Sequence, residues 1–241
     1  MNFEGKTYLV TGGVRRLGMQ IALALAQHGA NVVLHHAHSP DQAEQVKKTI
    51  EELGQKAWII QLDLCDPENA EALVPRAWEF APLSGVVNNA AIFGQEKWFD
   101  TSIENWNQTL GLNLTAPFLI CRSFAKRLSE MDSGNIVNIL DWRALRPGED
   151  HLAYTISKAG LAALTRSLAL SFAPRISVNA LALGAILPPE QEPPAAGIEK
   201  KIPLKRWASI QEFTDAVLFL LSSPPEITGT VIHLDGGRHL I

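Results

Sequence analysis

Hydrophobic positions along this chain follow two periodicities that alternate from one end to the other. Short apolar, β-rich runs recur at "TYLVTG" (7–12), "ANVVLHH" (30–36), "KAWIIQLDL" (56–64), "LSGVVNNA" (83–90), "GNIVNIL" (134–140), "RISVNALAL" (175–183) and "GTVIHLDGG" (229–237). Between them, residues 16–29, 41–54, 67–80, 102–131, 151–173 and 209–223 carry the three-to-four-residue spacing of amphipathic helices. Gly29 and Gly54 stop the first two helices as C-caps, while Pro75 leaves the end of the third open. Gly111 and Pro117 predict an irregular fourth. Strand and helix in alternation specify a parallel sheet covered on both faces and joined by right-handed crossovers. No repeat or linker divides the chain, so a single α/β domain over 1–241 is expected. The Pro-rich, polar stretch 184–208 breaks the rhythm, and its residues 185–207 are expected to form a substrate lid at the carboxyl edge of the sheet. The helix near 151–173 is apolar nearly all round after Lys158. One subunit covers only one of its faces, so a homo-oligomer is expected.

Composition narrows the function. A chain of 241 residues, 46% hydrophobic, buries a core without disulfides or metal. A net charge of −4 carries no electrostatic footprint for nucleic acid or an anionic membrane. Cys65 and Cys121 have no CxxC or metal-ligand neighbours, so no metal is expected and a reducing compartment is. No run reaches the ~18 apolar residues that span a bilayer. The opening "MNFEGKTYLVTGG" lacks a secretory apolar core. A cytoplasmic location is therefore expected.

The candidate chemistry begins between the first strand and the first helix. In "TGGVRRLG", Gly12 permits a sharp turn and Gly18 lets the helix pack close, with its unpaired N–H groups aimed at an anion. Arg15 and Arg16 add guanidiniums suited to a phosphate. The second strand ends "VVLHHAHSPD", with no carboxylate before Asp41 to hold an adenosine 2′-hydroxyl. His36, His38 and Ser39 suit a 2′-phosphate instead, so NADPH is expected over NADH. Asp63 is placed to accept from an adenine amino group, and Asn89 ends the fourth strand beside small residues. Tyr154 and Lys158 share one helix face and can move a proton. Asp141 stands thirteen residues before the tyrosine, at a strand end, either in that site or capping the next turn.

These pieces together resemble the short-chain dehydrogenase/reductase family over essentially the whole chain. The marks are "TGGVRRLG", "NNAA", Asn113 in "GLNLTAPF", "YTISK", "VNALALG" and "ITGTVIHLDGG". The resemblance implies a doubly wound Rossmann domain with a seven-stranded parallel sheet, order 3-2-1-4-5-6-7, a nicotinamide cofactor and a homotetramer. It implies a proton relay of Tyr154, Lys158 and Asn113. Leu17, Leu64, Ala90, Ala91, Gly184 and Ile186 join the cofactor contacts, although Leu183 replaces the family's proline before Gly184.

Two departures are informative. Arg16 replaces the middle glycine of the family's turn, and Asp141 replaces its serine. Both resemble the pteridine reductase branch, which also places an aromatic residue where Phe93 stands. "HLAY" and "LDGGRHLI" look most like the branch's bacterial dihydromonapterin reductases. The implied substrate is a small pterin, held by Arg16, Phe93, Asp141, Tyr154 and Leu187. An ionised carboxylate only accepts hydrogen bonds, so Asp141 suits a ring nitrogen that gains a proton better than an oxyanion. Two other readings remain: a carbonyl reductase such as a 3-oxoacyl-carrier-protein reductase, and a non-catalytic NADPH-binding sensor.

Overall fold

A computed structural model describes residues 1–94, 96–97, 99–188 and 197–241. Its strands are β1 (Thr7–Val10), β2 (Asn31–His36), β3 (Ala57–Gln61), β4 (Gly85–Asn88), β5 (Gly134–Asp141), β6 (Ile176–Leu183) and β7 (Val231–Leu234). Its helices are α1 (Arg16–Gln27), α2 (Pro40–Glu52), α3 (Pro67–Phe80), α4 (Ile103–Leu110), α5 (Ala116–Arg127), α6 (Leu152–Phe172) and α7 (Ile210–Ser222). All strands pair in parallel in one Rossmann-like sheet of order β3-β2-β1-β4-β5-β6-β7. The order reverses between β1 and β4, which opens a crevice at the carboxyl ends of the strands.

Side-chain alternation explains the two helical layers. Tyr8 and Val10 of β1, Val32 and Leu34 of β2, and Val137 and Ile139 of β5 join one core with α1, α2 and α7. Leu9, Val33 and Ile136 point the other way, into a core with α3, α5 and the far end of α6. The strands are apolar on both faces because both faces are covered.

Two helices depart from simple expectation. α3 runs unbroken through Pro75 to Phe80. Proline has no N–H for the carbonyl of Glu71, and the Ser123 hydroxyl of α5 donates to that oxygen at 3.4 Å instead. The predicted long helix 102–131 is α4 and α5 joined by a π-helical turn over Gly111–Thr115. Pro117 cannot donate to the carbonyl of Asn113, and the Ala116 N–H bonds back to Gly111. The widened turn delivers Asn113, fully buried, toward β4.

Of the expected lid, residues 189–196 lie outside the described residues. On its far side Ile202 is buried against Gly236, and Gly236 and Gly237 hold positive φ (63° and 85°) in the turn after β7. Asp235 closes that turn, accepting from Gly237 N, His239 N and His239 Nδ1 at 2.9, 2.8 and 2.7 Å. His233, Asp235 and His239 bring potential metal-ligand atoms within 4.8 Å of one another. The two imidazoles stack, however, with centroids 3.8 Å apart and planes 21° apart. Their in-plane lone pairs run side by side rather than converging on one ion. Among the described residues no helix is long and apolar enough to cross a membrane.

A polar ladder crosses the buried sheet. Asn88 Nδ2 donates to Asn138 Oδ1 at 2.8 Å, Asn138 Nδ2 to Thr165 Oγ1 at 2.9 Å, and Thr165 Oγ1 to the Leu161 carbonyl at 2.8 Å. It ties β4 to β5 and β5 to α6, the three elements that carry the site below. Asn138→Leu leaves Asn88 short of its acceptor in a dry setting and is expected to lower the unfolding free energy by about 1–3 kcal/mol. Urea denaturation measures this, and an unchanged midpoint would show that the ladder contributes nothing net.

Candidate active site

The carboxyl ends of β1, β2, β4, β5 and β6 frame a cleft of about 750 Å³. Its first wall is the β1–α1 turn. Gly12 sits at φ 59°, and a methyl on Gly18 would stand 2.0 Å from the Gly12 carbonyl and 2.6 Å from Asn89 Nδ2. Only hydrogen at Gly18 lets helix and turn meet this closely. Asn89 Nδ2 donates to the carbonyls of Thr11 (2.9 Å) and Gly12 (3.2 Å), while Thr11 Oγ1 accepts from Asn89 N and Ala90 N. Asn89 is thus a brace for the turn as well as a wall of the cleft.

His35 is the second brace. Its Nδ1 accepts from Gly12 N at 3.1 Å, and its Nε2 donates to the Leu62 carbonyl at 2.9 Å. Those partners require the neutral ring, and burial pushes the pKa down to about 4. Strand alternation contained the signal, because a residue two after Val33 shares its face.

The remaining cofactor candidates divide. Arg15, Arg16, Leu17, Asp63, Leu64, Ala90, Ala91 and Gly184 line the cleft. Arg16 opens α1 at φ 47° and donates to the Pro188 carbonyl at 2.8 Å. That bond links the turn to the edge of the predicted lid. A Cβ on Gly184 would meet the Asp235 Cα at 2.7 Å. By contrast, Ala37 lines the cleft where His36, His38 and Ser39 were expected. His36 is buried, and its Nδ1 accepts from Ser39 N at 3.2 Å. Ile186 and Leu187 pack on the hydrophobic core with α1 and α7. Leu17 packs on the same core and lines the cleft as well.

The deep end of the cleft holds the titratable groups. Asp141 ends β5, and Tyr154 and Lys158 sit one turn apart on α6. The Tyr154 hydroxyl donates to Asp141 Oδ2 at 3.4 Å. The other carboxylate oxygen accepts from Arg143 N at 2.9 Å, capping the short turn that follows. Cap and site contact coexist, since each uses its own oxygen. Lys158 Nζ donates to the Ile139 carbonyl at 2.7 Å and lies 5.7 Å from the centre of the tyrosine ring. Asn113 bonds both ways to Ile92, with Ile92 N to Oδ1 at 2.8 Å and Nδ2 to the Ile92 carbonyl at 2.9 Å, and reaches Ser157 Oγ at 3.1 Å. Its side chain pins the β4–α4 loop to α6.

Phe93 projects from that pinned loop, 54% exposed. Its ring meets Tyr154 edge-on at 4.7 Å and stacks on His151 at 4.4 Å. His151 holds φ 56° at the start of α6 and bonds through Nδ1 to the Gly94 carbonyl at 2.7 Å. A non-glycine residue in the left-handed region is sustained by such neighbours.

The charges act on one another. Burial raises the Tyr154 pKa well above its usual value, and the Asp141 carboxylate raises it further. Burial also raises Asp141, against the pull of Arg143 N, Lys158 and the Arg143 charge. Lys158 is brought down to about 8 by burial, with Asp141 pulling it back up. Tyr154 is therefore held as a donor, facing a carboxylate and backed by an ammonium whose charge is lost only in alkali.

The family model for enoyl-(acyl carrier protein) reductase matches residues 13–239. The chain belongs to the short-chain dehydrogenase/reductase family, a family of oxidoreductases. It is 35% identical to FolM alternative dihydrofolate reductase 1 from Brucella canis, solved with NADP, at a TM-score of 0.91 over 100% of this chain and 97% of that one. It is 32% identical to the 3-oxoacyl-[acyl-carrier-protein] reductase FabG of Aquifex aeolicus over 98% of both chains. L-rhamnose 1-dehydrogenase (NAD(P)(+)) of a Sphingomonas strain is 31% identical over 98% of this chain and 97% of its own.

Lys158 yields a test of the electrostatics. Between about 8 and 10.5 the folded chain has released a proton that the unfolded chain still holds. The burial penalty on the folded state therefore shrinks as pH rises through that window. Relative to Lys158→Met, wild type is expected to gain at least about 1.4 kcal/mol of stability between neutral pH and pH 10.5, the equivalent of one pKa unit. Urea unfolding at the two pH values measures the gap, and a gap independent of pH would reject a depressed lysine.

Proposed function

We propose that the protein is an NADPH-dependent pterin reductase that adds hydrogen across a ring C=N bond of a dihydropterin. The observation that carries this reading is the Asp141 carboxylate 3.4 Å from the Tyr154 hydroxyl. Support also comes from the likeness to the dihydrofolate reductase of Brucella canis, whose structure holds NADP.

The cleft suits a dinucleotide: the Gly12 turn, the α1 N-terminus and two arginines stand where phosphates would lie. Gly184 and Ala90 leave room for a flat ring. When bound, NADPH supplies the hydride. The chain's own residues do the rest. Phe93 provides an aromatic face beside Tyr154, against which a pterin would stack. A C=N nitrogen is basic, and a neighbouring carboxylate stabilises it in protonated form. A ketone oxygen instead develops negative charge, which Asp141 would repel. Tyr154 gives its O–H proton to the ring nitrogen as the new C–H bond forms, and Lys158 stabilises the phenolate until solvent returns a proton. Asn113 holds the loop that carries Phe93 and so acts as a positioning residue.

The rival with a specific observation behind it is a 3-oxoacyl-carrier-protein reductase, because such enzymes are among the curated relatives at 32% identity. Asp141 weighs against it, since a serine-type donor to a carbonyl oxygen is missing. A homotetramer is also proposed. It is motivated by Phe118 on α5 and by Ile156 and Leu170 on α6, which the single chain leaves 38%, 44% and 84% exposed.

Purified protein assayed with NADPH and with NADH, against dihydromonapterin, dihydrobiopterin, dihydrofolate and acetoacetyl thioester, tests the reading. The expected result is turnover of a dihydropterin with at least about tenfold preference for NADPH. Asp141→Asn should retain NADPH binding and lose about 10²-fold or more in pterin turnover, the scale of an acid–base contribution. Thioester turnover with silent pterins would make the carbonyl reductase reading correct.

A further inference from the structure

Phe93 lines the cleft from a loop that has no regular secondary structure of its own. A half-exposed ring on such a loop is free to sample several rotamers unless its neighbours choose one. The loop backbone is bonded at every second residue. Asn113 clamps Ile92, the Gly94 carbonyl accepts from His151 Nδ1 at 2.7 Å, and the Glu96 carbonyl accepts from Leu152 N at 3.2 Å. Two of these three ties run to the start of α6.

His151 also fixes the Phe93 ring. The imidazole stacks on it with centroids 4.4 Å and planes 24° apart. His151 does not line the cleft, and its side chain is only 12% exposed. It therefore backs the phenyl ring from behind and leaves the other face toward the cleft. A carbonyl only accepts, so Nδ1 carries the proton that bonds Gly94. That in-plane bond sets the angle of the imidazole, and the stack passes the angle on to Phe93. The backbone is strained to achieve this: His151 holds φ 56° and ψ 45°, in the left-handed region. Strain of this kind persists where neighbours over-determine it, and it concentrates at functional sites. Tyr154 follows three residues later, so the turn that aims the imidazole also starts the helix of the proton donor.

We infer that His151 is a positioning residue for ring binding: it locks Phe93 in the orientation whose free face receives a planar heteroaromatic substrate beside Tyr154. The inference rests on the pterin reading of the cleft, and its test separates the two. His151→Asn keeps a residue that tolerates positive φ and removes the ring, while His151→Gly removes ring and strain together. In both variants the KM for dihydrobiopterin is expected to rise about tenfold, the scale of one aromatic pair, with NADPH bound as in wild type. Calorimetry of oxidised biopterin titrated into the NADP+ complex should show a matching loss of affinity. In a Phe93→Ala background the stacking face is already gone, so His151→Asn should raise the KM no further. A KM that stays put in both variants would overturn the inference. So would losses that add fully on the Phe93→Ala background, or a parallel loss of NADPH affinity, since either marks a general structural role. An unchanged biopterin affinity beside a raised KM would overturn it as well. Each of these results leaves pterin reduction by wild type intact, whereas a wild type silent on every pterin would overturn the pterin reading and this inference together.

Discussion

The hydrogen bond between Tyr154 and Asp141 is the contact around which the candidate site is arranged. Two acids and a lysine share a buried space, and Asp141 acts on both of the others. The carboxylate holds the phenol protonated, the lysine keeps the carboxylate from being an isolated buried charge, and burial weakens the lysine's grip on its own proton. Removing Asp141 changes both of the others. The turn after β5 fixes the geometry, because the second oxygen of Asp141 is committed to the Arg143 amide.

The fold supplies that geometry cheaply. β5 and α6 are successive elements, tied to each other and to β4 by the buried Asn88–Asn138–Thr165 ladder. β5 ends on Asp141, and α6 carries Tyr154 and Lys158. The π-helical turn places Asn113 where it can clamp Ile92, and the clamped loop presents Phe93 to Tyr154. Residues distant in sequence meet because each is fixed to the carboxyl edge of a strand or to the helix beside it.

Much of this was legible in the sequence. Short, continuously apolar runs with helical runs between them determine a covered parallel sheet, and the observed strand order is the one the family resemblance implies. Tyr154, Lys158 and Asp141 were legible through spacing and strand-end position. What escaped depended on where single side chains find partners. Pro75 passes through a helix because Ser123, distant in sequence, replaces its missing bond. His35 and His36 are neighbours of the same type, yet only His35 lines the cleft, a difference set by the alternation of side chains along β2.

The central claim is that a carboxylate at position 141 selects C=N over C=O reduction. The most direct measurement is the ratio of kcat/KM for a dihydropterin to kcat/KM for acetoacetyl thioester, taken with saturating NADPH in wild type and in Asp141→Ser. A hydroxyl donates where the carboxylate only accepts, so the ratio is expected to fall by about 10²-fold or more, equivalent to roughly 2.7 kcal/mol of altered discrimination. A ratio that stays the same in the folded, NADPH-binding variant would contradict the account and leave Asp141 as the cap of a turn.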